Sequence, residues 1–118
     1  MPYHSFEELE VWQESCRLAV QVYETMKDCR DYGLRDQMTR SAVSVASNIA
    51  EGAERGSTPD FKRFLHIAKG SAAELRTQLY IARKVGLINE SEQQALTQKT
   101  KQIAGMLHNL IKSLPVKK

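Results

Sequence analysis

The apolar residues of this chain recur every three or four positions almost from end to end. Leu9, Trp12, Cys16, Ala19, Tyr23 and Met26 form a three-four-three-four-three series. That period marks one face of an amphipathic helix and predicts helix 1 over residues 6–27. Ser5 stands at its N-cap position with Glu8 three residues on, the two halves of a capping box. Residues 28–33, DCRDYG, break the rhythm and predict a turn. Met38, Ala42, Val45, Ile49 and Gly52 restart it, so helix 2 is expected from Leu34 until Gly56 ends it. Ser57 or Thr58 caps the next helix, with Pro59 in its first turn. Phe61, Leu65, Ala68, Ala72, Leu75, Leu79 and Ala82 give the clearest seam, and helix 3 is expected over residues 59–85, stopping at Gly86. Asn89 and Glu92 form a second capping box, and Ile103, Leu107, Leu110 and Leu114 carry helix 4 to Pro115. No alternating strand pattern occurs. Four helices with short connections predict an all-α fold, an antiparallel up-down-up-down four-helix bundle, as a single domain over residues 1–118.

One stretch sits oddly in that pattern. Residues 44–52, SVASNIAEG, keep helical spacing yet consist largely of small and polar residues that form helices poorly. A tight turn near Gly56 makes facing positions of helices 2 and 3 sum to about 114. Ser44 then faces Gly70, Ala42 faces Ala72, and Arg40 faces Glu74. Small residues on small residues predict a close backbone approach at Gly70. Ser41, Ser44 and Ser71 can bond carbonyls one turn back, and Arg40 with Glu74 can form a charge-assisted pair. Ser44, Ser47, Asn48, Glu51 and His66 can also be drawn as a nucleophile and base cluster. No GxSxG elbow and no second carboxylate at matched spacing supports that drawing, so no enzyme and no catalytic residue is expected.

Two further rows lie off the seams. Val11, Leu18 and Val22 form a second apolar stripe on helix 1, and Ile67 and Ile81 stand off the seam of helix 3. A monomeric bundle needs one apolar face per helix, so these five residues are expected at the interface of a homo-oligomer, the competing expectation being scattered surface apolars or a wide core stripe. Helix 3 also carries Lys62, Lys69, Arg76 and Arg83, seven apart throughout, with His66, Ala73 and Tyr80 between them. The row spans about 31 Å. It can track a phosphate backbone, with Tyr80 free to stack a base. The competing expectation is a solvated flank, or ion pairs with Glu7, Glu10 and Glu14 of helix 1.

Composition adds limits. The 118 residues carry a net charge of +3, which permits nucleic-acid binding without requiring it. Cys16 and Cys29 have no metal-type spacing, and His4, His66 and His108 are scattered, so no metal or cofactor is expected. No apolar run reaches the roughly 20 residues of a membrane span, and no signal-peptide pattern opens the chain. A cytoplasmic protein with no membrane partner follows as the expectation.

SVASNIAEGAER (44–55) followed by FKRFLHIAKGSAAELRTQL (61–79) resembles the paired signatures of the 23S rRNA intervening-sequence protein family, also called the S23 or four helix bundle protein family. FEELEVWQES (6–15) and GLRDQMTRSAVS (33–44) are similar to its opening segments. The positions matching its signature are Asn48, Glu51, Gly52, Arg55, Gly70, Ser71, Glu74 and Leu75; Ala46 departs from it, where a proline is common. The resemblance implies a bacterial four-helix bundle that assembles into a homopentamer, with RNA binding suggested and no catalytic residues. Together these readings lead to a non-enzymatic homo-oligomer binding structured RNA electrostatically through helix 3. Arg35 and Arg40 are expected helpers, Arg40 only where it is not locked to Glu74, and the C-terminal Lys112, Lys117 and Lys118 add a little positive potential without specificity. The alternative is a scaffold ring whose partner is another protein, without nucleic acid.

Overall fold

The computed structural model describes residues 5–116. Lys117, Lys118 and the tail of residues 1–4 lie outside them. A short 3-10 turn, Phe6–Glu8, leads into α1, Glu10–Met26; α2 is Tyr32–Glu54, α3 is Thr58–Lys84 and α4 is Glu90–Ser113. Four helices and, among the described residues, no strand make this an all-α four-helix bundle, 49 Å long and 20 by 19 Å across. Around it the order is α1, α2, α3, α4, with α4 closing against α1 and α3 diagonal to α1.

Local chemistry accounts for most boundaries. Asp31 accepts the Leu34 amide at 3.0 Å, so α2 starts two residues before Leu34. Ser57 caps α3 through the Asp60 amide, with Pro59 in the first turn. The capping box at Asn89 and Glu92 forms, with bonds of 2.8 and 3.0 Å. Gly56 and Gly86 take φ of +83° after α2 and α3, a conformation that costs glycine little. Helix 1 departs from expectation. Ser5 makes no capping bond, and the chain turns extended at Leu9 before α1 begins. In one continuous helix Phe6 and Trp12 would point about 120° apart. The break lets the Phe6 ring meet Trp12 edge-on, with centroids 5.3 Å apart.

The phase of α1 is also corrected. Val11, Leu18 and Val22, expected at a subunit interface, are buried in the core with Met26. Their stripe includes Ser15, a fully buried serine whose hydroxyl donates to the Val11 carbonyl at 2.6 Å. That serine hides the true seam in the sequence. Trp12, Cys16 and Tyr23, read as core, lie at the outer corner between α1 and α2, and Tyr23 is 55 % exposed.

The contact between α2 and α3 corrects a second expectation. Gly70 faces open space, and nothing lies within 4 Å of where its Cβ would stand. The close approach is at Gly52, one turn from the end of α2. A Cβ there would lie 2.6 Å from the Phe64 Cβ and 3.3 Å from the Phe61 carbonyl oxygen. Farther along, the Ser44 and Ser71 hydroxyls hydrogen-bond across the helices at 2.8 Å. Asn48 clamps that link, donating from Nδ2 to the Ser44 carbonyl at 2.8 Å and to its Oγ at 2.9 Å. Both contacts run antiparallel, Ser44 with Ser71 one residue and Gly52 with Phe64 two residues from the expected register. Arg40 and Glu74 are exposed and form no ion pair.

Gly52→Ala is therefore expected to lower stability by about 1–3 kcal/mol through overpacking against Phe61 and Phe64. Gly70→Ala is expected to raise it, by up to about 1 kcal/mol of helix propensity. Thermal and urea unfolding of the two variants checks both signs.

Candidate nucleic-acid interface

The rotation of α3 decides where its basic row points. Phe61, Leu65, Ala68, Ala72, Leu75, Leu79 and Ala82 face the core, and Ser71 faces α2. Lys62, Lys69, Arg76 and Arg83 are thereby left on the opposite flank, toward α4. A seven-residue step falls about 20° short of two full turns, so the row drifts along the helix. Its last member, Arg83, reaches α4 and donates to the Gln93 Oε1 at 3.2 Å and pairs with Glu90 at 3.4 Å. Lys62, Lys69 and Arg76 are half-buried and make no ion pair among the described residues. His66 and Tyr80 are exposed in the same row, Tyr80 at 48 %.

The helix 1 carboxylates do not neutralise this row, because α1 lies diagonal to α3. Glu14 instead takes Lys99 of α4 and Arg17. The Lys99 hydrogen bond, followed by the charges of Lys99 and Arg17, outweighs desolvation and holds the Glu14 carboxyl below the usual carboxylate range. Formal charge is split between the halves of the bundle. Residues 6–57 carry ten Asp and Glu against six Lys and Arg, whereas residues 58–113 carry four against nine. Only Asp60, Glu74, Glu90 and Glu92 are acidic in that second half; Asp60 pairs with Arg63 and Glu90 with Arg83.

The signature residues of α2 work on structure. Glu51 and Arg55 form an ion pair at 2.8 Å. The Arg55 guanidinium also lies 4.9 Å from the Phe64 ring centroid, and Arg63 lies 4.6 Å from the same ring. Gly52 admits the ring, Arg55 covers it, and Asn48, Ser44 and Ser71 tie the helices together. The structure does not assemble the cluster drawn from Ser44, Ser47, Asn48, Glu51 and His66. His66 projects about 140° around α3 from Ser71. No group of His, Cys, Asp and Glu among the described residues could hold a metal ion. No helix of the described residues is long and apolar enough to cross a membrane.

Sequence reasoning missed one surface. Trp12, Cys16, Val20 and Tyr23 of α1 face Val43, Ala46 and Ala50 of α2 across an open apolar groove of about 460 Å³. Val20 and Val43 are 56 % and 40 % exposed. Burial in this wall pushes the Cys16 thiol up, which makes it a poor nucleophile. The four-three spacing of Val43, Ser47 and Ala50 beside the expected α2 seam was the available signal. Ile67 and Ile81 are exposed on α3, at 42 % and 47 %.

Residues 7–109 match the family described as 23S rRNA-intervening sequence protein. The fold is similar to the crystal structure of a protein of unknown function from the S23 ribosomal protein family of Bacteroides thetaiotaomicron. That similarity has a TM-score of 0.81 at 24 % identity, over 87 % of this chain and 99 % of the other. No curated protein matches the chain.

The depressed Glu14 carboxyl fixes a sign for acid sensitivity. Its contribution to stability is present above the unfolded carboxylate value, near 4.3 for a free glutamate, and is lost as the pH falls through the lower folded value. Thermal unfolding between pH 7 and pH 3 is expected to show Glu14→Gln less stable than wild type at neutral pH, the gap closing on acidification.

Proposed function

Because this chain belongs to the 23S rRNA-intervening sequence protein family, we propose that it is a cytoplasmic, non-enzymatic homo-oligomer that binds structured RNA electrostatically along α3. The observation that carries the reading is the row Lys62, Lys69 and Arg76. It is free of ion pairs among the described residues and lies in the half of the bundle where basic residues exceed acidic ones nine to four. A row of side chains held on one rigid helix meets a phosphate backbone without an ordering cost in the protein backbone.

Self-association is the second part of the proposal, as a pentamer by the family resemblance. The apolar groove between α1 and α2 lies in the acidic half, and Ile67 and Ile81 offer exposed apolar contacts in the basic half. A second copy fits that groove by charge as well as by apolar surface. Val20→Glu is expected to lower the assembly mass in light scattering while leaving the helical fold intact. Leu18→Ala is expected to cost about 2–5 kcal/mol of stability as a cavity in the core.

The RNA reading is tested by fluorescence anisotropy of nuclease-treated protein with a labelled RNA stem-loop at low and at physiological salt. Saturable binding that weakens with salt and is lost in Lys69→Glu is the expected result. No binding at low salt by an intact assembly overturns it. The α1 and α2 groove would then favour a scaffold with a protein partner.

A further inference from the structure

The basic row of α3 is one wall of a groove whose other wall is α4. α3 is about 40 Å long in a molecule 49 Å long, so α4 can pack along it only by folding back after the turn at Gly86. At the Gly86 end the two helices flank an open pocket of about 370 Å³, lined by polar side chains and their apolar stems. Tyr80 and Arg83 line it from α3, and Gln94, Gln98 and Lys101 from α4. Its deeper wall is Gln93 and Thr97, both buried.

We propose that this pocket holds one unpaired nucleotide of a bound RNA. This rests on the RNA reading above and gives the chemistry of one point along it. The Tyr80 ring, half exposed beside a polar cavity, supplies a stacking face. The pocket volume lies in the range of small-molecule sites. The Gln98 amide makes no hydrogen bond among the described residues and offers both a donor and an acceptor to a base edge. Gln94 donates to Glu90 at 3.3 Å and keeps its carbonyl oxygen for the base. Arg83 is held in place by Gln93, which in turn donates to Thr97 at 2.8 Å, and by Glu90, an ion pair that a bound phosphate would share or displace. Arg83 from one wall and Lys101 from the other flank the pocket, where the phosphates on either side of a flipped-out base would run. Base-paired residues present neither a free face to Tyr80 nor a free edge to the glutamines, so the pocket selects loops, bulges and single strands over duplex.

The test compares a labelled oligouridylate of about ten nucleotides with a blunt RNA duplex of similar length, by anisotropy at fixed salt. Wild type is expected to bind the single strand more tightly. Tyr80→Ala is expected to weaken single-strand binding roughly 5- to 150-fold and to leave duplex binding unchanged. Lys101→Gln is expected to shallow the salt dependence of single-strand binding by about 0.7 in log-log slope. Equal binding of the strand by Tyr80→Ala and wild type overturns the pocket; if Lys69→Glu still abolishes binding, the broader RNA reading stands. Tighter binding of the duplex also overturns it. Failure of wild type to bind any RNA overturns both.

Discussion

The absence of a side chain at Gly52 is the constraint on which the rest of this bundle depends. Phe64 Cβ occupies the space where any other residue would place its own. That contact fixes how deeply α3 settles on α2 near their connecting turn. The Ser44 to Ser71 hydrogen bond, two turns farther along, then fixes the rotation of α3 about its axis. With one side committed to Ser44 and the core seam set by Phe61 to Ala82, the remaining flank is determined. Lys62, Lys69 and Arg76 lie on the flank toward α4 because a glycine and a pair of serines fix the rotation of α3.

The same constraint accounts for the polar run of α2 in structural terms. Glu51 and Arg55 hold each other, and Arg55 and Arg63 cover the two sides of a ring that Gly52 admits. Asn48 satisfies its amide on Ser44. Partly buried polar groups that all find partners rigidify a contact, whereas a catalytic cluster needs a group left poised for a substrate.

How much of this was legible in the sequence follows from which signals were local. Caps and turn glycines are local, and Asn89, Ser57, Gly56 and Gly86 gave their helix ends to within two residues. The seam of α3 was legible because seven apolar residues repeat without a rival. The seam of α1 was not, because two apolar stripes compete there and the true one contains Ser15, while the other carries the larger rings of Trp12 and Tyr23. The small-residue contact was legible as a kind of contact but not as a place. Gly70 and Gly52 read alike in one dimension, and only the neighbouring helix separates open space from a 2.6 Å clash. The basic row was readable by its seven-residue period. Its second wall was not, because Gln94, Gln98 and Lys101 become neighbours of Tyr80 only through the fold.

The arrangement around the bundle bears on how two activities can coexist. The apolar groove lies at the corner between α1 and α2, and the basic groove at the opposite corner between α3 and α4. A copy docked on the first leaves the second open. The acidic half of one copy also approaches the basic half of its neighbour more readily than two like halves approach each other, which favours head-to-tail over back-to-back contact. In the proposed assembly, head-to-tail contacts that close into a ring would present one such groove per copy, all in the same sense. Each groove needs only modest affinity, because linked sites engage one RNA at high effective concentration. On the proposed reading, the assembly would therefore combine weak, salt-sensitive single sites into one firm attachment.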